Sequence, residues 1–235
     1  MKAAPVNVES GQLAEERYRI PTPDPASPKA LAAVVKELVD HFGWSGPIGC
    51  AFPARIKNGI VMTATNVGRD FVGLNFASRL SDVVGLPVRT INDADAAGIA
   101  EMQFGAGRGR RDVVLLLTIG TGIGSALFVD QTLVPNTELG HVDVGGRHGE
   151  TYASDRTREK KHLSWKRWAK RFQKYLDRIE FLLAPDLIIL GGGVSEPERA
   201  KEYMHRLQTE SELVIAQLRN DAGIVGAAFN ARNLS

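Results

Sequence analysis

Residues able to do chemistry gather in a few short stretches of this chain. Asn92-Asp93-Ala94-Asp95 is expected where a short strand, 88–91, gives way to a helix. A carboxylate at such a strand end can accept a proton from an alcohol, and a positioned general base contributes roughly 10²–10⁴-fold to a rate. Asn and Asp are also favoured helix N-caps, so capping stays open as the plainer role, more so for Asp95 than for Asp93. A second stretch, Thr118-Ile119-Gly120-Thr121-Gly122-Ile123-Gly124, links apolar strands expected at 112–118 and 125–129. Its glycines admit positive φ and close backbone approach, and successive N–H groups there can cradle phosphate oxygens. Thr118 and Thr121 add hydroxyl donors. A glycine hairpin without a ligand is the alternative. The stretch is not a Walker A loop, because no lysine follows the last glycine and a strand comes next.

Glu138 and His141 stand three residues apart on a glycine-containing turn, so both can point at one polyhydroxyl ligand; a surface pair without function is the alternative. Glu-x-x-His also occurs in metal sites, yet no further His or Cys is spaced to complete one, and zinc is not expected. Gly191, Gly192 and Gly193 follow a buried strand at 186–190 and precede Ser195. That order suits a nucleotide or phosphate chain approaching a helix N-terminus, and equally a plain strand–turn–helix connection. A helix expected at 163–183 carries Trp165, Trp168, Phe172, Leu176, Ile179 and Leu183 on one stripe, which reads as core. Its other side carries Lys166, Lys170, Lys174 and Arg178 at four-residue intervals, spanning roughly 18 Å at 1.5 Å per residue. Like charges at that spacing repel; a bound polyanion would relieve them, and a solvated face is the alternative. With no base-stacking or groove-reading module in view, nucleic acid is not expected as a partner.

These groups must be held by alternating elements. Strands at 2–8 and 13–20 are expected around a turn at Ser10-Gly11, followed by the proline-rich spacer 21–28. Ser27 then suits an N-cap with Pro28 at the first helical position, and Leu31, Val34, Val35, Leu38, Val39 and Phe42 recur at helical spacing over 28–42. A strand at 47–53, a hairpin turning on Asn58-Gly59, a helix at 73–84 and a closing helix at 223–231 complete the reading. The alternation argues for α/β layers. Composition agrees: 43% apolar and 24% charged residues, net charge +2, and one cysteine, Cys50, so no disulfide within the chain. Without a leader or a membrane-length apolar run, a cytoplasmic protein with no membrane partner is expected.

Taken together, the motifs resemble the ROK family of sugar kinases, in particular its polyphosphate glucokinase branch. Four stretches carry the resemblance: 92–98, 117–127, 134–141 (Val-Pro-Asn-Thr-Glu-Leu-Gly-His) and 185–195. It implies an α/β, two-lobed, actin-like (ribonuclease H-like) fold with an interlobe cleft, one lobe being 1–93 joined by 222–235 and the other 94–221. It implies Asp93 as the catalytic base for the glucose 6-hydroxyl, with Asn66, Asn92, Glu138 and His141 on other hydroxyls. Thr118, Gly120, Thr121, Gly122 and Gly124, with Gly191, Gly192 and Gly193, then match the donor-phosphate region, and Lys166, Lys170 and Lys174 offer a track for polyphosphate. Mg²⁺ is the expected cofactor, glucose and polyphosphate or ATP the expected substrates, and a homodimer the expected assembly. Relatives with zinc carry cysteines after the Glu-x-x-His segment; here 142–149 has none. The family opens with a strand and an Asp-x-Gly-Gly-Thr loop, and this chain starts at Met1-Lys2-Ala3, from which weak activity is expected. A kinase for another hexose, or a sugar-binding regulator, is the alternative.

Overall fold

The computed structural model describes residues 1–63 and 67–234. The chain divides into two compact units, one of Met1–Ala100 with Asp221–Ser235 and the other of Glu101–Asn220. The division falls inside a helix, not at Asp93.

The first unit opens with β1 (Lys2–Ala3), β2 (Val6–Asn7), β3 (Gln12–Leu13) and β4 (Tyr18–Arg19), paired antiparallel as β1–β4 and β2–β3. Two longer strands were expected here. Pro5 interrupts the first of them because it has no N–H to give a ladder. Helix α1 (Pro28–His41) follows, capped by Ser27 Oγ, which accepts from Ala30 N at 3.2 Å. The Leu31, Val34, Val35 and Leu38 stripe is buried as the period requires. Next come β5 (Ile48–Phe52) and the hairpin of β6 (Ile56–Lys57) with β7 (Ile60–Val61). Its turn residues Asn58 and Gly59 both have positive φ, 52° and 77°, as a type I′ turn demands. Helix α2 (Phe76–Val84) leads into β8 (Val88–Asn92), which pairs parallel with β5. The core of this unit is a cluster of Phe52, Phe71 and Phe76, with ring centroids 5.0–5.2 Å apart, around Leu31, Val35 and Leu80. The closing helix Ala222–Ala231 lies directly on β5. A Cβ on Gly49 would come within 1.9 Å of Ala227 O, so only glycine permits that approach.

Helix α3 (Asp93–Phe104) carries the chain onward to a mixed five-stranded sheet. In chain order its strands are β9 (Val113–Ile119), β10 (Ile123–Val129), β11 (Thr132–Val134), β12 (Leu187–Gly192) and β13 (Glu212–Ile215). Across the sheet they run β11-β10-β9-β12-β13, with β9, β12 and β13 parallel and β10 antiparallel to its neighbours. Between β11 and β12 lie helices α4 (Gly149–Ala153), α5 (Asp155–Lys160) and α6 (Trp165–Leu183), and between β12 and β13 lies α7 (Pro197–Tyr203). Leu115, Leu117, Ile119, Ile188 and Leu190 of the sheet are fully buried with Trp168, Phe172, Tyr175, Leu176 and Ile179 of α6. The central strands are apolar on both faces, as strands covered by helices are. Among the described residues no helix is long and apolar enough to cross a membrane.

Candidate active site

In the first unit the site begins where β8 ends. Asn92 Oδ1 accepts from Ala94 N at 2.9 Å and Asp95 N at 3.1 Å, and Asn92 Nδ2 donates to Ala54 O at 3.2 Å. Asn92 is therefore the cap that starts α3, a task the sequence left open to the aspartates as well. Among the described residues Asn92 Nδ2 has this one acceptor. The cap fixes Asp93, whose Oδ1 accepts from Ala94 N at 2.9 Å and whose side chain reaches solvent. Desolvation by the surrounding protein raises its carboxyl above the ordinary value of 3.8, and backbone hydrogen bonds from Ala94 and Asp93 itself partly offset that. Asp95, by contrast, is buried at 1% exposure. Asn66 lies outside the described residues.

In the second unit the two glycine motifs meet. Strand β9 runs on through Ile119 and β10 starts at Ile123, so the turn itself is confined to Gly120, Thr121 and Gly122, closed by Gly120 N donating to Gly122 O at 3.0 Å. Thr118 and Gly124, expected within the turn, instead face each other across the ladder. On the other side of β9, Thr118 pairs with Gly191 and Ile119 with Gly192. Thr118 thus sits in a row of three with a glycine on each flank, at the carboxyl end of β9 and β12. Gly192 has φ 78°, and a Cβ there would stand 2.5 Å from Ile119 O; the residue must be glycine for the two strand ends to close up. Thr121, Gly192 and Gly193 are exposed. Exposed N–H groups beside hydroxyls at parallel strand ends are the arrangement that receives phosphate.

Glu138 precedes and His141 ends a single 3₁₀ turn, Leu139–His141. Buried Ser125 of β10 pins it: Leu139 N donates to Ser125 Oγ at 3.1 Å, and Thr137 Oγ1 donates to Ser125 O at 3.0 Å. Tyr175 of α6 donates its hydroxyl to Leu139 O at 3.3 Å. The two side chains point together, Glu138 Oε2 lying 3.9 Å from His141 Nε2, both about two-fifths exposed. His148 supports them, its Nδ1 3.0 Å from His141 O and its ring edge-on to the His141 ring. One further carboxylate had no motif to announce it. Glu150, in the first turn of α4, brings Oε2 to 2.4 Å from where a Gly122 Cβ would stand. The only trace in sequence is a glutamate after a glycine-rich run, which is common.

The basic helix has the expected faces. Ser164 caps α6 by accepting from Arg167 N, and Trp168 Nε1 donates to Ala153 O at 2.9 Å from the buried side. Lys166, Lys170, Lys174 and Arg178 are all exposed on the other side. Among the described residues no group of three or more His, Cys, Asp or Glu could hold a metal.

The ROK family profile matches residues 1–156. The chain belongs to the ROK family. Polyphosphate glucokinase from Mycobacterium tuberculosis (strain CDC 1551 / Oshkosh) is 42% identical over 97% of this chain and 86% of its own length. Polyphosphate glucokinase from Mycobacterium leprae is 41% identical over 97% of this chain and 70% of its own. Among solved structures, the inorganic polyphosphate/ATP-glucomannokinase from Arthrobacter sp. strain KM superposes with a TM-score of 0.93 at 43% identity, covering 98% of this chain and 93% of that one. The ROK family glucokinase from Streptomyces griseus, solved with glucose and AMPPNP, shares the fold with a TM-score of 0.76 at 23% identity, covering 97% and 94%. The α/β architecture described above is thus the actin-like fold of ROK sugar kinases.

Proposed function

We propose that this chain is a polyphosphate-dependent glucokinase, transferring a phosphoryl group from inorganic polyphosphate, or from ATP, to the 6-hydroxyl of glucose. The observation that carries the reading is identity of 41–43% over nearly the whole chain to enzymes named for that chemistry. The glycine row Gly124–Thr118–Gly191 at the ends of β9 and β10 and of β12 supports it independently as a phosphate cradle.

In this reading Asp93 takes the proton from the sugar 6-hydroxyl as that oxygen attacks the terminal phosphorus. The phosphoanhydride bond breaks, and the donor leaves one phosphate shorter. Glu138 and His141 hold other sugar hydroxyls, Asn66 adds a contact, and Asn92 orients Asp93 through the α3 cap while offering its remaining amide N–H. Thr118, Gly120, Thr121, Gly122 and Gly124, with Gly191, Gly192 and Gly193, form the donor-phosphate region, the exposed Thr121, Gly192 and Gly193 being the ones that reach the phosphates. Phosphoryl transfer needs little beyond such positioning and charge stabilisation. Mg²⁺ keeps substrate phosphates among its ligands in such sites, so it would enter with the donor and, when bound, would offset phosphate charge. Lys166, Lys170 and Lys174 extend the anion path for a long donor. A homodimer in the cytoplasm completes the reading.

The test is glucose 6-phosphate formation by this chain with Mg²⁺, polyphosphate against ATP. Product with polyphosphate supports the reading, and no product from either donor sinks it. Mannose belongs in the same assay, because the Arthrobacter relative is named a glucomannokinase.

A further inference from the structure

The cluster that the reaction above leaves unused lies beside both glycine turns. Asp155, the first residue of α5, is buried at 6% exposure. One oxygen, Oδ1, accepts from Arg158 Nε at 2.6 Å, and the other, Oδ2, accepts from Arg199 Nη1 at 2.7 Å. Arg158 is tucked away, with 17% of its side chain exposed and its guanidinium 4.1 Å above the Trp165 ring. Arg199 is not: 41% of its side chain is exposed, and the bond to Asp155 is the one hydrogen bond its guanidinium makes among the described residues. A guanidinium carries five N–H donors in a fixed fork, so most of Arg199's remain on offer.

Its position gives that surplus a use. Arg199 Nη1 stands 3.7 Å from where a Cβ on Gly193 would be, with Asp155 Oδ2 at 3.9 Å and Ile119 O at 4.0 Å from the same point. Asp155 is held to the other turn by its neighbour, since Arg156 N donates to Gly120 O at 3.0 Å. Arg158 has a second carboxylate of its own, Glu159 Oε1 at 3.2 Å, so Asp155 is left to fix Arg199 where the turn after β9 and the turn after β12 come together. A purely structural pair would need one arginine on Asp155. The second, exposed and fixed at one corner, is the geometry of a preset anion contact, because an orienting carboxylate removes most of the rotamer freedom that binding would otherwise cost.

We infer that Arg199 is a donor-binding residue, contacting a phosphate of polyphosphate or ATP next to the one transferred, and that Asp155 is its positioning residue. This rests on reading the two glycine turns as the donor site. Arg199→Met is expected to raise the donor KM by about 10–100-fold for polyphosphate and ATP alike, the range for losing a charge-assisted contact. The KM for glucose should move by less than about twofold, since no hydroxyl ligand is touched. Arg199→Lys should recover part of the loss, because lysine restores the charge without the fork. Asp155→Asn should raise the donor KM several-fold with kcat little changed, a split that mere loss of stability does not produce. Thr118→Val and Thr121→Val serve as the check on the underlying reading. If they raise the donor KM while Arg199→Met does not, the inference about Arg199 is wrong and the donor site stands. If none of the three moves it, the donor-site reading itself fails. Should Arg199→Met not fold, Arg199→Lys decides by calorimetric titration with tripolyphosphate: weakened binding supports the contact, and wild-type binding overturns it.

Discussion

An aspartate that accepts a proton must first be ionised, and the surroundings of Asp93 work against that. Desolvation raises its carboxyl above the ordinary value of 3.8, so the acid limb of kcat/KM should fall at a pH higher than an unperturbed aspartate would give. Asp93→Asn should remove the limb along with about 10²–10⁴-fold of the rate; a limb unchanged in position by that substitution would assign it to another group. The same shift fixes the sign of a stability effect. A carboxyl raised in the fold favours its protonated form there, so it stabilises fully below the unfolded-state value and less as pH rises through the folded one. Asp93→Asn should therefore melt higher than wild type at neutral pH, and the gain should vanish in mild acid. Gly192 makes a different demand. With φ at 78° and Ile119 O at 2.5 Å from any Cβ, Gly192→Ala is expected to cost about 1–3 kcal/mol in backbone strain before the clash is counted. Denaturant unfolding measures it, and an unchanged midpoint would mean that the strand ends move apart freely.

Among the elements, α6 joins core and surface in one helix. Trp168 is fully buried, stacked on Phe172 at 4.9 Å and bonded to Ala153 O, so Trp168→Ala should destabilise by about 3–5 kcal/mol. The exposed side can be changed without that cost. Lys170→Glu with Lys174→Glu should weaken polyphosphate on the order of tenfold through reversed charge, while ATP, too short to reach along the helix, changes little; equal losses for both donors would deny the track. This helix was legible in the sequence because it is long and strongly periodic, though its start was read at 163, ahead of the Ser164 cap. So were α1 and the hairpin at Asn58-Gly59, each marked by a cap or turn residue whose chemistry admits few alternatives; α2 was placed at 73–84, three residues ahead of its start after the Asn75 cap. Helices α4 and α5 were not: five and six residues long, they show too little period to distinguish from loop. Strand β13 escaped too, because Glu212–Ile215 is short and has no alternation to read. Strand β9 was read as ending at Thr118, and the glycines hid its continuation through Ile119; pairing with β12 supplies the hydrogen bonds that override the local preference.

At the scale of the whole molecule, the site was legible as residue types in order but not as geometry. Asp93 and the two glycine runs could be picked out because each combines a reactive or permissive residue with a strand end, and Glu138 because it stands three residues from His141 on a glycine-containing turn. Their register could not, since nothing in the sequence says that Thr118 pairs with Gly124 on one side and Gly191 on the other. Arg199 and Glu150 had no motif at all; only the folded chain brings them to the turns. The charge balance shows the same limit. A net charge of +2 gives little overall attraction for a polyanion, so affinity for polyphosphate must come from where the positive residues lie. Local attraction of that kind is screened, with a Debye length of about 10 Å at 0.1 M and about 3 Å at 1 M ionic strength. A long donor lying on the exposed face of α6, at Lys166, Lys170 and Lys174, should lose those contacts as salt rises. The fork of Arg199, fixed by buried Asp155 beside Gly193, would act by direct hydrogen bonds on one phosphate and should lose less. Raising ionic strength from about 0.1 to about 1 M should thus raise the KM for long-chain polyphosphate severalfold, that for ATP less, and that for uncharged glucose hardly at all. With Lys170→Glu and Lys174→Glu in place, the salt dependence for polyphosphate should fall to that for ATP. If wild type shows one common salt dependence for both donors, polyphosphate is gripped only at its end, and α6 is a solvated helix face.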